Sequence, residues 1–150
     1  MSILAETGFG PHRLEIEITE TAVVENIDLV RSTLDQLRHA GVRVALDDFG
    51  TGSETLSHLC SLRIDKIKID RSFVSNLFDG GNGEVIIKAI LGLAQGFGLA
   101  TTAEGLEEEI QVSFLKELGC SECQGYLFSK AISADQVASF LDCTRWRASA

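Results

Sequence analysis

The chain is poor in proline, with one in 150 residues, and short of basic side chains, with 13 Lys and Arg against 22 Asp and Glu. The scarcity of proline, with a hydrophobic content of 45%, excludes a disordered chain and fits a packed globule of about one domain. The net charge of −9 disfavours binding to a DNA or RNA backbone, which needs a basic footprint. It leaves a small phosphate ligand open, because bound cations reverse the local field. No apolar run reaches the ~18 residues of a membrane span. The opening MSILAETGFGPH lacks the basic-then-apolar start of a signal peptide. Four cysteines (Cys60, Cys120, Cys123, Cys143) lack the density of a disulfide-stapled secreted domain. A reducing cytosol is the expected, cytoplasmic compartment.

What is present is a repeated strand–helix unit. Residues 14–19 alternate as a strand, and 25–40 place Ile27, Val30, Leu34 and Leu37 on one helical stripe before Gly41. Residues 42–48 read as a strand, followed by the turn FGTGS and a short helix at 54–61. A strand at 66–70 and the loop DGGNG lead to an apolar helix at 84–97, ended by Gly98. A strand at 99–104, a helix at 107–118 ended by Gly119, a strand at 122–126 and a helix at 134–141 complete the series. Helices that end in Gly and feed directly into strands are αβ units, which imply a parallel sheet. The fold class is α/β, a TIM-barrel-like array of about five parallel strands. A closed (β/α)₈ barrel takes about 250 residues, and ILAETG reads as the end of a helix. The expectation is the C-terminal part of a larger barrel over residues 1–143, with a loosely held tail at 144–150.

Five of these segments carry a polar or charged residue near the C-terminal end of an otherwise apolar stretch: Glu17, Asp47 with Asp48, Lys68, Glu104 and Gln124. Repeated at equivalent places, they point to one site at the mouth of the array. Burying them unpaired costs several kcal/mol each, so a shared divalent cation is the simplest partner. Adjacent Asp residues reach one site only where a strand ends and turns. There Asp47 can bridge two cations and Asp48 bind one, at the separation of about 3.5–4 Å that suits phosphodiester hydrolysis. Carboxylate ligation favours Mg²⁺ or Mn²⁺. The alternative for the Asp pair is a turn with a helix N-cap. For Lys68, orienting water or phosphate competes with a solvated edge face. For Glu104, a ligand or base competes with an acid at a helix N-terminus. Glu107, Glu108 and Glu109 read as a solvated first turn favoured by the helix dipole. Cys120 and Cys123 form a CxxC without a second pair, which reads as reduced cysteines rather than zinc ligands.

Taken together, LEIEITE (14–20), DDFGTG (47–52), KIKIDRSFV (66–74), AEGLE (103–107) and QGYLFSK (124–130) resemble the EAL-domain family of bacterial cyclic di-GMP phosphodiesterases, in order and over nearly the whole chain. The resemblance implies a barrel that cuts cyclic di-GMP to linear pGpG with Mg²⁺ or Mn²⁺. It assigns Glu17, Asp47, Asp48 and Glu104 to the metal site, and Lys68 to the lysine that contacts the attacking water. It makes Gln124 the active-site glutamine. Glu20 matches the glutamate that braces the loop Phe49–Glu54, which in the family couples the site to a dimer interface. A homodimer is therefore expected, and an upstream sensory or GGDEF-type domain is compatible with the pattern. The Glu-Ala-Leu motif and the next strand's Asn, both ligands in the family, are absent from this sequence. Ser53 replaces a usual aromatic, and Ala131 a usual Pro. The expectation is a chain that hydrolyses weakly or not at all by itself, or a non-catalytic EAL-like module that binds the dinucleotide or a protein.

Overall fold

Period-two alternation sends every second side chain of a strand to the same face of its sheet, and here the two faces differ in kind. The computed structural model describes residues 2–19, 21–22, 27–50 and 62–142. Five parallel strands pair in sequence order: β1 (Glu15–Thr19), β2 (Arg43–Phe49), β3 (Lys66–Ile69), β4 (Ala100–Ala103) and β5 (Glu122–Cys123). Between and around them lie α1 (Ser2–Thr7), α2 (Ile27–His39), α3 (Arg71–Ser75), α4 (Gly83–Phe97), α5 (Glu109–Glu117) and α6 (Ala134–Asp142). This is the expected α/β array of five parallel strands alternating with helices, left open as part of a barrel rather than closed.

One face of the sheet is apolar and covered. Val44, Leu46, Ile67, Ile69 and Ala103 meet Leu34 of α2, Ile87, Ile90, Leu91 and Ala94 of α4, and Leu115 of α5. Each large side chain removed from water there contributes about 1.5–3 kcal/mol. The other face carries the polar residues of the alternation: Glu15 and Glu17, Asp47, Lys66 and Lys68, and Thr102.

The expected Gly stops are present, each with the same hydrogen bond. Gly41, Gly98 and Gly119 have φ of 90°, 67° and 82°. In each case the following amide donates to a carbonyl five residues back: Val42 to Leu37 (3.0 Å), Leu99 to Ala94 (2.9 Å) and Cys120 to Leu115 (2.9 Å). That is the Schellman closure, and it aims the chain straight into the next strand.

Strands β3, β4 and β5 end earlier than the sequence pattern suggests, whereas β1 ends where expected and β2 runs one residue further, to Phe49. Asp70 leaves β3 to cap α3, accepting from the Ser72 amide at 3.0 Å. Helix α3 is one turn long, too short to show a period in sequence. The helix expected at 54–61, the loop beyond Gly50, Glu20 and the tail lie outside the described residues.

Candidate active site

Strand β3 reads Lys-Ile-Lys-Ile, and both isoleucines are fully buried against the helices. Its lysines must therefore emerge on the polar face. Lys68 is 6% exposed there, which removes the solvated-edge alternative. Its ammonium lies 2.7 Å from Glu104 Oε1, 2.8 Å from Glu17 Oε2 and 3.0 Å from Asp47 Oδ1. Three strands and the loop after β4 thus bring four of the expected site residues to one point. Glu104 is not a helix-terminal acid, because α5 starts at Glu109.

Asp48 reaches the same region by a device the sequence reading did not contain. The strand does not end at the Asp pair. Instead the β2–β3 register breaks between Leu46 and Phe49, and Asp48 adopts a left-handed φ of 55°. A bulge of this kind lets adjacent residues turn toward one side, and Asp tolerates the left-handed region better than most. The Asp48 carboxyl is held above its ordinary range, first by loss of solvation and then by the charges of Asp47 and Asp70, against the pull of Lys68. Gln124 is not one of the groups that pair with Lys68. With Glu104, Arg71, Ser75, Gly105 and Tyr126 it lines a cleft of about 630 Å³ beside the cluster.

A second layer lies one step toward the amino ends of the strands, and the sequence reading missed it. Lys66, also 6% exposed, contacts Glu122 Oε2 at 2.7 Å and Glu15 Oε1 at 3.0 Å, and the Thr102 hydroxyl donates to Glu122 at 3.1 Å. The signal was available: Glu15, Lys66 and Glu122 each precede a site residue by two, so they share its face. Burial opposes the charge on both lysines, yet both hold their protons more tightly than usual. For Lys66 the bonds to Glu122 and Glu15 prevail. For Lys68 the contacts to Glu104, Glu17 and Asp47 do. A lysine pKa raised by folding contributes stability that is complete below its ordinary value of about 10.4 and is lost as pH rises through the folded value. Urea midpoints should therefore fall on the alkaline side. A Lys66→Met variant should show a shallower fall, and an unchanged slope would count against the layer.

The donor set suits a hard cation. Among the described residues, three carboxylates meet at one ammonium, so acids outnumber the base at this point. The buried Asp47 Oδ1, although near the ammonium, makes no hydrogen bond. All the donors are oxygens, which fits Mg²⁺ or Mn²⁺ in chemistry and charge. Among the described residues, however, no three acidic side chains close into a cage by themselves. The Lys68 ammonium stands at the centre of the three.

An EAL domain profile matches residues 1–131. The chain belongs to the EAL domain family. A cyclic di-GMP phosphodiesterase of Pseudomonas aeruginosa, NbdA, is 39% identical over 145 residues, covering 97% of this chain and 18% of its own length. The solved EAL domain of Mycobacterium smegmatis DcpA superposes with a TM-score of 0.87 at 42% identity, over 94% of this chain and 63% of that one. A complex of Klebsiella pneumoniae BlrP1 with manganese and cyclic di-GMP superposes at 0.79 with 35% identity, over 86% of this chain and 33% of that one. The chain spans about a fifth of the length of the curated relatives it matches. No helix among the described residues of this EAL domain is long and apolar enough to cross a membrane.

Proposed function

We propose that this chain supplies the acidic wall of a metal-dependent phosphodiesterase site that hydrolyses cyclic di-GMP to linear pGpG. The observation that carries this reading is the convergence of Glu17, Asp47 and Glu104 on the buried Lys68, at the carboxyl end of a parallel sheet. Glu17, Asp47, Asp48 and Glu104 would hold Mg²⁺ or Mn²⁺, which when bound supplies Lewis acidity toward the phosphodiester and the attacking water. Lys68 carries a fixed positive charge and donates hydrogen bonds where negative charge develops on phosphate oxygens. Glu104 is within proton-transfer reach of the same point, as a base requires. Gln124 and Arg71 offer hydrogen bonds along the adjoining cleft, whose volume is in the range of small-molecule sites, about 300–1,000 Å³. The likeness to NbdA and to the BlrP1 complex supports the substrate and the use of a divalent cation.

The open edges β1 and β5 favour self-association, which in this reading completes the wall from a second copy. The compartment proposed is the cytoplasm, in keeping with the free thiols of Cys120 and Cys123. A second reading, cyclic di-GMP binding without hydrolysis, is favoured by the lack of a three-acid cage among the described residues.

Incubation with cyclic di-GMP and Mn²⁺, followed by chromatography, tests both. Slow formation of pGpG is expected, at a rate at least ~100-fold below that of a family domain with a complete ligand set, and Asp47→Asn should abolish it. Binding that survives EDTA with no product would sink the hydrolytic reading.

A further inference from the structure

The CxxC at the entrance to β5 belongs to neither polar layer, and its geometry differs from that of two inert cysteines. Cys120 follows the left-handed Gly119, and Cys123 ends β5 opposite Ala103. Both thiols are free and partly exposed, three residues apart on the segment that forms β5, and the Cys120 thiol donates to Glu122 O at 3.3 Å. The sulfur of Cys120 is fastened to the buried Thr101 of β4, whose hydroxyl donates to it at 3.6 Å. That hydroxyl oxygen accepts from the Ser121 amide at 3.1 Å, while the Thr101 amide donates to Ser121 Oγ at 3.2 Å. The reciprocal pair fixes the threonine, so its one proton points at sulfur.

We propose that Cys120 and Cys123 form a redox-active dithiol that exchanges with low-molecular-weight disulfides, Cys120 attacking first and Cys123 closing the internal disulfide. In the first step the Cys120 thiolate attacks one sulfur of the small disulfide. A mixed disulfide forms, and one small thiolate leaves and takes up a proton. In the second step Cys123 loses its proton and attacks the Cys120 sulfur, expelling the second small thiol. Two protein thiols are oxidised to one disulfide, and one small disulfide is reduced to two thiols. No other oxidant is required.

The order of attack follows from the surroundings. The Cys123 thiol, and next the Thr101 hydroxyl, hold the Cys120 thiol down to about 6 against the effect of burial, whereas the hydrogen bond to Cys120 and burial push Cys123 up. The nearest helix end is the carboxyl terminus of α5, which disfavours a thiolate. The stabilisation therefore rests on neutral hydrogen-bonding partners: Cys123, Thr101 and the backbone at Glu122 and Ala103. The pair also sits where its state can be felt. Gln124 follows Cys123 directly, its amide donates to Ala103 O at 2.8 Å, and its carbonyl accepts from Leu106 at 3.2 Å.

The test uses the whole chain carrying Cys60→Ser and Cys143→Ser, which leaves these two thiols. The chain is treated with glutathione disulfide near neutral pH, quenched in acid and weighed intact and after digestion. The expected product has lost two hydrogens, retains no glutathione and is restored by dithiothreitol. Adding Cys123→Ser should trap glutathione on Cys120. Adding Cys120→Ser should slow modification of Cys123 about tenfold or more. A mixed disulfide that persists with both cysteines present, or reaction that starts at Cys123, would overturn the proposal. Circular dichroism on each variant separates a folding defect from lost reactivity. None of these readouts requires hydrolysis or metal, so the dithiol and the phosphodiesterase reading can fail separately.

Discussion

A Lys68→Met chain is expected to unfold more readily than the parent in the absence of divalent cations, and to regain more stability than the parent when Mn²⁺ is added. Lys68 is the cation that three carboxylates share within 3.0 Å. Removing it leaves Glu17, Asp47 and Glu104 facing one another without the ammonium they share. Breaking a fully buried ion pair costs about 3–5 kcal/mol. Here the acid side chains are 49%, 23% and 22% exposed, so water screens part of the repulsion and about 2 kcal/mol is the reasonable expectation. For a chain of this size that lowers Tm by about 4–8 °C. The same three charges then make a better cation site than in the parent, where the ammonium competes for the centre. Binding to the folded state alone raises stability by mass action, so the variant should show the larger Mn²⁺-dependent rise in Tm. Catalysis should move the opposite way, with pGpG formation falling about 10²–10³-fold as the positive charge at the developing phosphate charge is lost. Equal Mn²⁺ responses in the two chains would mean that the cluster is an internal salt-bridge network and not a cation site.

The split between what could be read in advance and what could not follows from the range of the interactions. Strand–helix alternation and the glycines at 41, 98 and 119 are local signals, fixed by side-chain period and by the left-handed closure each helix needs. They predicted the array, and the structure repeats it. The convergence of Glu17, Asp47, Lys68 and Glu104 was also legible, because position near a strand end and alternation together specify both depth and face. The bulge at Asp48 was not, since it depends on a register shift between β2 and β3 that no single strand encodes. The Lys66 layer was overlooked for a different reason. A lysine in an alternating strand reads as solvated unless acids elsewhere in the sheet are known to reach it at its level, as Glu15 and Glu122 do from the two outer strands, β1 and β5. Gln111 is a third case. It looks like a surface residue of α5. In the structure it is 7% exposed, accepts from the amides of Glu107 and Glu108 at 2.9 and 3.1 Å, and donates to Val74 O at 3.2 Å. It ties the cleft-side loop to α3. The run of three glutamates beside it masked that role.

The second large effect is expected at Gly125, where the smallest substitution should act on both fold and site. A methyl group there would overlap the backbone nitrogen and oxygen of Leu106. Neither atom can give way as the end of a flexible side chain would. Leu106 is fully buried, its amide donates to Gln124 O at 3.2 Å, and its carbonyl accepts from Leu127 at 2.9 Å. Those two bonds hold the segment after β5 against the segment after β4, and so hold Gln124 beside Glu104 along the cleft. Gly125→Ala must separate the two segments or break both bonds. Overpacking against backbone puts the cost at about 3 kcal/mol. The matched control is Gly92→Ala on the exposed side of α4, where a methyl meets nothing within 4 Å. Replacing a helical glycine with open space around it should stabilise by about 0.5–1 kcal/mol. Urea denaturation of the two variants should move in opposite directions. Cyclic di-GMP binding, followed by calorimetry well below the midpoint of each, should weaken only in Gly125→Ala. If Gly125→Ala is as stable as the parent but binds poorly, the close approach to Leu106 serves the cleft alone. If it is destabilised yet binds normally, the wall carrying Gln124 takes no part in holding the ligand.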